Sequence, residues 1–259
     1  MLLCTAILFL WFMFYACLGW AYESIIVSIG QRQLVNRGFL NGPLCPIYGV
    51  GAVLCVVLLD RVHNPLLVFL ASALGASLLE YVTSWAMEQI FHARWWDYSQ
   101  RRFNLNGRIC LLGATVFGLA GLLINEVLQP FARTWTALLP VPVLLGLALV
   151  LLLLLVLDMT VTLVGLGNLE ETISKLAELY QTYALKADES MQTGRETVSD
   201  TVKALSQFPQ DVLLRLKEST GSGLNAQQRR ILRSFPRFRL RGKSYDSALE
   251  VIRNLLKGD

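Results

Sequence analysis

Long uncharged runs of apolar residues fill the chain before residue 168 and are sparse after it. Because a transmembrane helix needs about 20 mostly apolar residues, this pattern predicts five membrane spans. The predicted spans are 2–28, 44–59, 65–91, 109–128 and 138–166. The expected fold is therefore an all-α, polytopic membrane bundle of five helices.

The second predicted span is shorter than the others and differs in composition. It opens with "GPLCPIYGVG", in which Pro46 suits the first turn of a helix and two glycines follow. Irregular backbone at membrane depth is tolerated where protein covers it or where it lines a cavity. For the wider stretch 36–51, two interpretations stay open: the lining of a polar cavity that includes Arg37, or an ordinary turn between spans.

Residues 168–259 are polar and carry 15 of the 23 Lys+Arg and 12 of the 19 Asp+Glu. We therefore expect a membrane domain at 1–167 and a cytoplasmic helical tail at 168–259. Apolar residues recur in the tail at helical spacing, which predicts a helical hairpin or a coiled-coil or homo-oligomer contact. These residues are Leu169, Ile173, Leu176, Tyr180, Tyr183, Val198, Val202 and Leu205.

The composition identifies the lipid bilayer as the surroundings of the first part of the chain. Hydrophobic residues make up 54% of the sequence and charged residues 16%, and the mean hydropathy is +0.49. The net charge of +4 is modest, so it does not indicate nucleic acid as a partner. The five cysteines lie in or beside apolar runs without a C-x-x-C motif, which predicts neither disulfides nor metal ligands.

Arginines in the predicted loops indicate the orientation of the membrane domain. Cytoplasmic loops are enriched in Lys and Arg, and loops one and three carry six arginines whereas loops two and four carry two. The six are Arg32, Arg37, Arg94, Arg101, Arg102 and Arg108, and the two are Arg61 and Arg133. We therefore expect the N-terminus outside and the tail in the cytoplasm. The predicted anchors at the cytoplasmic interface are Trp95, Trp96, Asp97 and Tyr98.

In the half of the bilayer assigned to the cytoplasm, four carboxylates fall inside predicted spans: Glu23, Glu80, Glu88 and Asp158. An isolated carboxylate in lipid costs a few kcal/mol or more, so these groups should face protein, pair with cations or take up protons. Glu80, Ser84 and Glu88 are four residues apart and share one helix face, which predicts an inward polar stripe. The best-placed cations are Arg37 and Arg108.

Two interpretations of these carboxylates stay open. In the first, they line a cavity that opens to the cytoplasm and binds a substrate or a proton. In the second, they only fix helices to one another through ion pairs and hydrogen bonds. Asp158, which lies near Thr160 and Thr162, fits either interpretation.

No motif in the sequence predicts catalysis. The stretch "RLRGKS" ends like a phosphate-binding loop, but it lacks the earlier glycine and a preceding buried strand, so we expect no ATPase in this chain. His63 and His92 are predicted in loops on opposite sides, which argues against a metal site. Ser84 has no histidine or lysine base within the predicted spans. We therefore expect no enzyme, no cofactor and no bound metal.

A basic segment at 229–243 contains no acidic residue. Its cations are Arg229, Arg230, Arg233, Arg237, Arg239, Arg241 and Lys243. The two functional interpretations are binding to anionic lipid headgroups and binding to an acidic partner protein, and Phe235 and Phe238 could insert at the membrane interface. The alternative is a solvated surface helix.

Several ordered motifs resemble one known family. The motifs are "GWAYE" at 19–23, "NRGFLNGPLCPIYGVG" at 36–51, "EYVTSWAMEQIFHARWWDYS" at 80–99, "FNLNGRICL" at 103–111 and "QRRILRSFP" at 228–236. Together they resemble the bacterial ABC-transporter type IV permeases, called CmpB-like, over the whole membrane domain and into the tail.

This resemblance implies a permease subunit of a plasma-membrane transporter, which requires a separate ATPase subunit if transport is driven by ATP. It also suggests that the charged residues within its motifs act jointly. These residues are Glu23, Arg37, Glu80, Glu88, Asp97 and Arg108. The alternative function is a membrane scaffold or regulator that does not transport and whose tail recruits partner proteins or anionic lipid.

Overall fold

The computed structural model describes residues 1–175, 177, 178, 182, 224–235, 237–240 and 249. Its helices are α1 (Leu2–Gln31), α2 (Pro46–Leu59), α3 (Pro65–Phe91), α4 (Leu111–Leu123), α5 (Gln129–Leu138), α6 (Val141–Leu166) and α7 (Ala226–Ser234). A π-helical turn, Ile124–Leu128, joins α4 to α5. The strands are β1 (Ala93–Arg94), β2 (Asn104–Leu105), β3 (Ile109–Cys110) and β4 (Arg239–Leu240). The prediction of a mostly helical chain is confirmed.

The chain divides into two compact units. Unit 1 comprises Met1–Met87 and Trp96–Val164, and unit 2 comprises Glu88–Trp95 and the described part of Gly165–Asp259. The segment 88–95 was not expected to group with the tail. A membrane domain at 1–167 and a tail at 168–259 remain predictions.

In the part of the chain that the structure describes, four helices are long and apolar enough to cross a membrane: Leu2–Gln31, Pro65–Phe91, Leu111–Leu138 and Val141–Lys175. The remaining predicted span is α2, a 14-residue apolar helix with Pro46 in its first turn. At 1.5 Å per residue α2 is about 21 Å long, which is less than a hydrocarbon core of about 30 Å. A fifth complete crossing therefore stays a prediction.

The fourth predicted span extends ten residues beyond its expected end at residue 128. Polar side chains after residue 128 form bonds with residues of α1 and of the segment that follows α2, so the helix continues where the sequence predicted a loop. Tyr15 donates a hydrogen bond to Gln129, and Arg133 forms an ion pair with Asp60. Arg133 was predicted in loop four, which was wrong: it lies on α5.

Unit 1 is packed around α1. Its face toward α2 includes Tyr15, which forms a buried cluster with Ala52 and Val56. Toward α6, Ala6 and Leu10 pack against Leu144 and Ala148. At Gly49 the helices approach so closely that an added Cβ would meet the ring and the carbonyl of Phe12 at 2.6 Å. Small residues at helix contacts are typical of membrane proteins.

Unit 2 is organised around Trp95, which is 2% exposed. Its indole packs edge-on against Phe91, Phe235 and Phe238, at ring-centroid distances of 5.4, 5.0 and 5.6 Å. Strand β1 pairs antiparallel with β4, so that Ala93 lies opposite Leu240. These contacts bear on two expectations: that Trp95 anchors the chain at the membrane interface, and that Phe235 and Phe238 insert there. Trp95, Phe235 and Phe238 are buried among protein side chains and are not available as membrane anchors.

Helix α7 begins with a capping box, in which Asn225 and Gln228 exchange side-chain-to-backbone hydrogen bonds. Ile231 and Leu232 are fully buried, so the basic segment is amphipathic. Of its cations, Arg229, Arg233, Arg237 and Arg239 are exposed and Arg230 is half-buried. Arg241, Lys243 and the tail residues Leu176, Tyr180, Tyr183, Val198, Val202 and Leu205 lie outside the described residues.

Candidate functional site

Five polar side chains from separate segments of unit 1 form one cluster, called here the polar cluster. It consists of Glu23 on α1, Arg37 in loop one, Tyr48 on α2, Glu80 on α3 and Tyr98 in loop three. Direct contacts join Arg37 and Tyr48 to Glu23, and Tyr98 to Glu80. Electrostatic interaction between the two carboxylates, and between Arg37 and Tyr98, connects the two halves.

Glu23 is held by a cation and a phenol. The Arg37 Nε atom lies 3.6 Å from Glu23 Oε2, and the Tyr48 hydroxyl donates a short hydrogen bond to Glu23 Oε1. Burial lowers the pKa of the Arg37 guanidinium, and the negative charge of Glu23 opposes that shift. The ion pair thus keeps a positive charge in a desolvated position.

Among the described residues, the partner of Glu80 is a phenol and not a cation. It is 7% exposed, and the Tyr98 hydroxyl donates a hydrogen bond of 3.1 Å to its Oε1. Within the described residues, no Lys, Arg or His nitrogen forms an ion pair with Glu80. Burial, together with Glu80 and Glu23, raises the pKa of Tyr98, so its phenol stays protonated and remains a donor. The two glutamates of the cluster therefore have unequal partners.

Loop one, the segment between α1 and α2, positions Arg37 through side-chain hydrogen bonds. The amide oxygen of Asn36 accepts from the indole nitrogen of Trp20 at 2.8 Å and from the backbone N–H of Gly38 at 3.0 Å. The backbone N–H of Arg37 donates to Ser24 Oγ at 3.2 Å. A compact loop thus fixes the guanidinium beside α1.

Asp158 on α6 binds the same loop but does not join the polar cluster. Its Oδ1 accepts from the backbone and side-chain nitrogens of Asn41, at 2.9 and 3.0 Å, and from Thr162 at 3.3 Å. Its Oδ2 accepts from the backbone N–H of Gly42 at 2.8 Å. The sequence placed Asp158 among the inward carboxylates without indicating this partner.

Loop three, the segment between α3 and α4, brings Arg108 to Ser84. A turn with positive φ at Asn106 and Gly107 connects β2 to β3, and Arg108 follows it. The Arg108 Nη1 atom donates to Ser84 Oγ at 3.3 Å, and its guanidinium lies 5.6 Å from the ring centroid of Tyr81. The Arg108 carbonyl accepts from Trp96 at 3.1 Å. The loop residue Asp97 accepts from the backbone N–H of Ser99 at 2.9 Å.

Glu88 belongs to unit 2 and has its own partner. The Arg94 Nε atom lies 3.4 Å from Glu88 Oε2, and the carboxylate is buried. The predicted stripe of Glu80, Ser84 and Glu88 consists of buried residues at all three positions. What each of them does remains a prediction.

An open groove of about 460 Å³ lies elsewhere in unit 1. Its walls are formed by residues between Leu3 and Trp11 on α1 and between Arg133 and Ala137 on α5. No member of the polar cluster lines it. The Glu23 side chain is 30% exposed, whereas Glu80 is 7% exposed.

Three polar positions in the apolar helices were not singled out from the sequence. Tyr48 lies in the first turn of α2. No sequence pattern at that position distinguishes a tyrosine that bonds to a carboxylate from one that lies at the membrane interface. Gln129 is 2% exposed and accepts from Tyr15 at 2.7 Å. Glu126 lies in the π-helical turn. A carboxylate within an apolar run is its signal in the sequence. Because residue 126 falls two residues before the predicted end of the span at 128, the sequence alone indicates an ordinary span end there.

The described residues offer no group of three or more His, Cys, Asp or Glu side chains that could hold a metal ion. Comparison with protein families gave a match over most of unit 1. The family described as "Putative ABC-transporter type IV" matches residues 10–163, which include every member of the polar cluster and Asp158. No curated protein and no solved structure matches the chain.

Proposed function

Because the chain belongs to the family described as putative ABC-transporter type IV, we propose that it is the permease subunit of a plasma-membrane transporter in bacteria. In this proposal the polar cluster is the site at which a substrate group or a proton binds. The observation that carries it is the convergence of Glu23, Glu80 and Arg37 in unit 1 of a protein whose spanning helices are mostly apolar. Ionisable residues at such positions commonly mark substrate or proton pathways.

The charge balance of the cluster indicates the chemistry of its ligand. The polar cluster contains two carboxyl groups and one arginine, and that arginine contacts Glu23. Glu80 is left with a phenol, so a proton or a positively charged substrate group would complete the balance. We therefore propose a cationic substrate group or a proton as the ligand of Glu80.

Opening of the cluster is proposed to involve the loops. Arg37 and Tyr98 lie in non-helical segments, whereas Glu23 and Glu80 lie on long helices. A movement of loop one or loop three would separate the contacts around the carboxylates without breaking a helix. The cavity formed in this way would open toward the cytoplasm, in the orientation that the loop arginines predict.

An ATP-driven version of this function requires a separate ATPase subunit, as the family description suggests. In the proposed topology, α2 is the second of five crossings, the N-terminus is outside and the tail is cytoplasmic. A reporter enzyme active in one compartment, fused within loop three, tests the orientation. A loop-three reporter that is active outside the cell would overturn it.

Solute profiling tests the permease proposal while the substrate is still unidentified. Right-side-out and inverted vesicles from the native host would carry wild-type protein, Glu80→Gln or the matched control Glu171→Gln, which alters an exposed pair with Lys175. After incubation with a cell-extract solute mixture and ATP, the vesicle contents are compared by mass spectrometry. We expect Glu80→Gln to abolish the transport of at least one solute that both other proteins move.

A scaffold or regulator remains the second candidate, because the bonds of Glu23 and Glu80 to residues of other segments could equally serve to hold helices and loops together. In that case Glu80→Gln should lower the folded yield and the melting temperature in detergent. Normal yield and stability together with lost transport would support the permease, and unchanged solute profiles with reduced yield would support the scaffold.

A further inference from the structure

A carboxylate lies exposed near the middle of a spanning helix. Glu126 is in the π-helical turn of Leu111–Leu138, about 22 Å from the start of that helix at 1.5 Å per residue. A hydrocarbon core is about 30 Å thick, so a core centred on this 28-residue helix would enclose Glu126. The Glu126 side chain is exposed, as are Leu123 and Val127 beside it.

The π-helical turn explains why a glutamate faces outward at this position. In a regular α-helix, residues three apart share a face. Here Gln129 is buried against Tyr15, whereas Glu126, three residues earlier, is exposed. π-Helical turns occur frequently at functional sites. The turn thus directs one polar residue to the core of unit 1 and another to its surface.

The polar groups on this face differ in how well their hydrogen bonds are satisfied. Thr115 and Thr134 donate to the carbonyls of Leu111 and Pro130 in their own helix, both at 2.9 Å. In the part of the chain that the structure describes, Glu126 accepts one hydrogen bond, from the adjacent Asn125 Nδ2 at 3.5 Å. That distance is at the limit of a hydrogen bond. A carboxyl group so poorly partnered in lipid is costly, and such groups nearly always face protein.

We propose that this face of α4, the π-helical turn and α5 is the contact surface for a second copy of the chain. In a twofold contact the same patch meets itself, so each donor used in the contact must find its acceptor on the same patch of the other copy. Asn125 and Glu126 provide such a pair: the Asn125 amide of each copy donates to the Glu126 carboxyl of the other. Leu119, Leu123 and Val127 flank the pair with apolar surface on both copies.

This inference does not depend on transport, because the same pairing would serve a transporter or a scaffold. It concerns a surface separate from the polar cluster, none of whose members lies between Leu111 and Leu138. Failure of the solute-profiling experiment would therefore leave it standing, and its own failure would leave the proposed function standing.

Photo-crosslinking in the native membrane tests the surface directly. The full chain would carry a benzophenone amino acid at Leu123, or at Leu154 on α6 as a matched control; the two side chains are 52% and 55% exposed. Co-expression of two differently tagged copies identifies self-pairing. We expect a two-tag adduct from position 123 and none from position 154. An adduct with another membrane protein, or with lipid alone, overturns the proposal.

Substitution of Glu126 separates a specific contact from general hydrophobic association. In lipid vesicles, energy transfer between labelled copies should show dimerisation about tenfold weaker for Glu126→Leu, because two interhelical hydrogen bonds are lost. Glu126→Gln keeps an acceptor and should pair nearly as well as the wild type. If Glu126→Leu pairs as well as the wild type, or if Glu126→Gln fails as badly as Glu126→Leu, the hydrogen-bonded contact is wrong.

Discussion

Asp158 and Glu80 are both carboxylates on spanning helices, but their surroundings in unit 1 differ. Asp158 accepts hydrogen bonds from two backbone N–H groups, an amide and a hydroxyl, and so binds loop one to α6. Glu80 accepts from one phenol and lies beside the charge of Glu23. A fully satisfied carboxylate fixes structure, whereas a poorly satisfied one is available to a ligand or a proton. The comparison separates a structural acid from a candidate functional acid.

The largest expected effect comes from removing the structural acid. Asp158→Leu leaves the N–H groups of Asn41 and Gly42 without their acceptor and should destabilise the protein by roughly 3 kcal/mol. Thermal unfolding in detergent measures this loss. Thr160→Val is the matched control, because Thr160 bonds only within its own helix among the described contacts and is exposed. Equal stability of Asp158→Leu and Glu80→Gln would erase the distinction between the two acids.

Two glycines allow the space around each acid to be tested with the same substitution. A Cβ at Gly42 would lie 3.0 Å from Asp158 Oδ2, whereas a Cβ at Gly113 would lie 4.0 Å from Glu80 Oε2. Gly42→Ala should therefore strain the loop contact and cost about 1 kcal/mol, while Gly113→Ala should be nearly neutral for stability. Melting temperatures of the two variants check the order. A larger loss for Gly113→Ala would contradict this account.

The phenol beside Glu80 should matter moderately for stability. Tyr98→Phe removes the 3.1 Å hydrogen bond and should cost about 1 kcal/mol or less. The pKa of Tyr98 is raised above its usual value of 10.0, so its bond contributes fully below pH 10 and is lost only as pH rises toward the higher folded-state value. Tyr98→Phe should therefore be less stable than the wild type at both pH 7 and pH 9. A difference that disappears by pH 9 would show that the phenol has already ionised.

The smallest effect is chemical and leaves stability unchanged. Cys45 lies in loop one and is buried, and burial, followed by the charge of Glu23, raises the pKa of its thiol to about 12. Because the thiolate is the reactive form, a water-soluble maleimide should label Cys45 very slowly at pH 8, which peptide mass spectrometry can follow. Rapid labelling of the native protein would indicate that loop one opens without a ligand. Under turnover conditions, faster labelling is the expected sign of the proposed opening.

Much of the architecture could be predicted from local sequence. The helices α1 and α3 begin within a residue or two of the predicted spans, because hydropathy and length are properties of the segment itself. The extension to Leu138 was missed, since it depends on Tyr15 and Asp60 holding polar residues of a distant helix. The burial of Trp95 was also missed, because an aromatic residue after a span is equally typical of an interface.

The candidate site was predicted as a set of residues but not as a set of pairs. Glu23, Arg37 and Glu80 were singled out, and the structure brings them together. The neighbours that distinguish the acids, Tyr48 and Tyr98, were not assigned to them. Tyrosines near membrane surfaces are common for reasons unrelated to carboxylates, so the sequence contains no signal for that pairing.

The sequence by itself determined that this protein lies in a membrane and that acids fall within its apolar helices, because both follow from residue type and from runs along one segment. Only the tertiary structure decided which acid received which partner. Asn41 lies 117 residues from Asp158 along the chain, Tyr48 25 residues from Glu23, and Tyr98 18 residues from Glu80. Hydrogen bonds depend on the separation of atoms in space, and no local pattern encodes separations created by the packing of helices and loops.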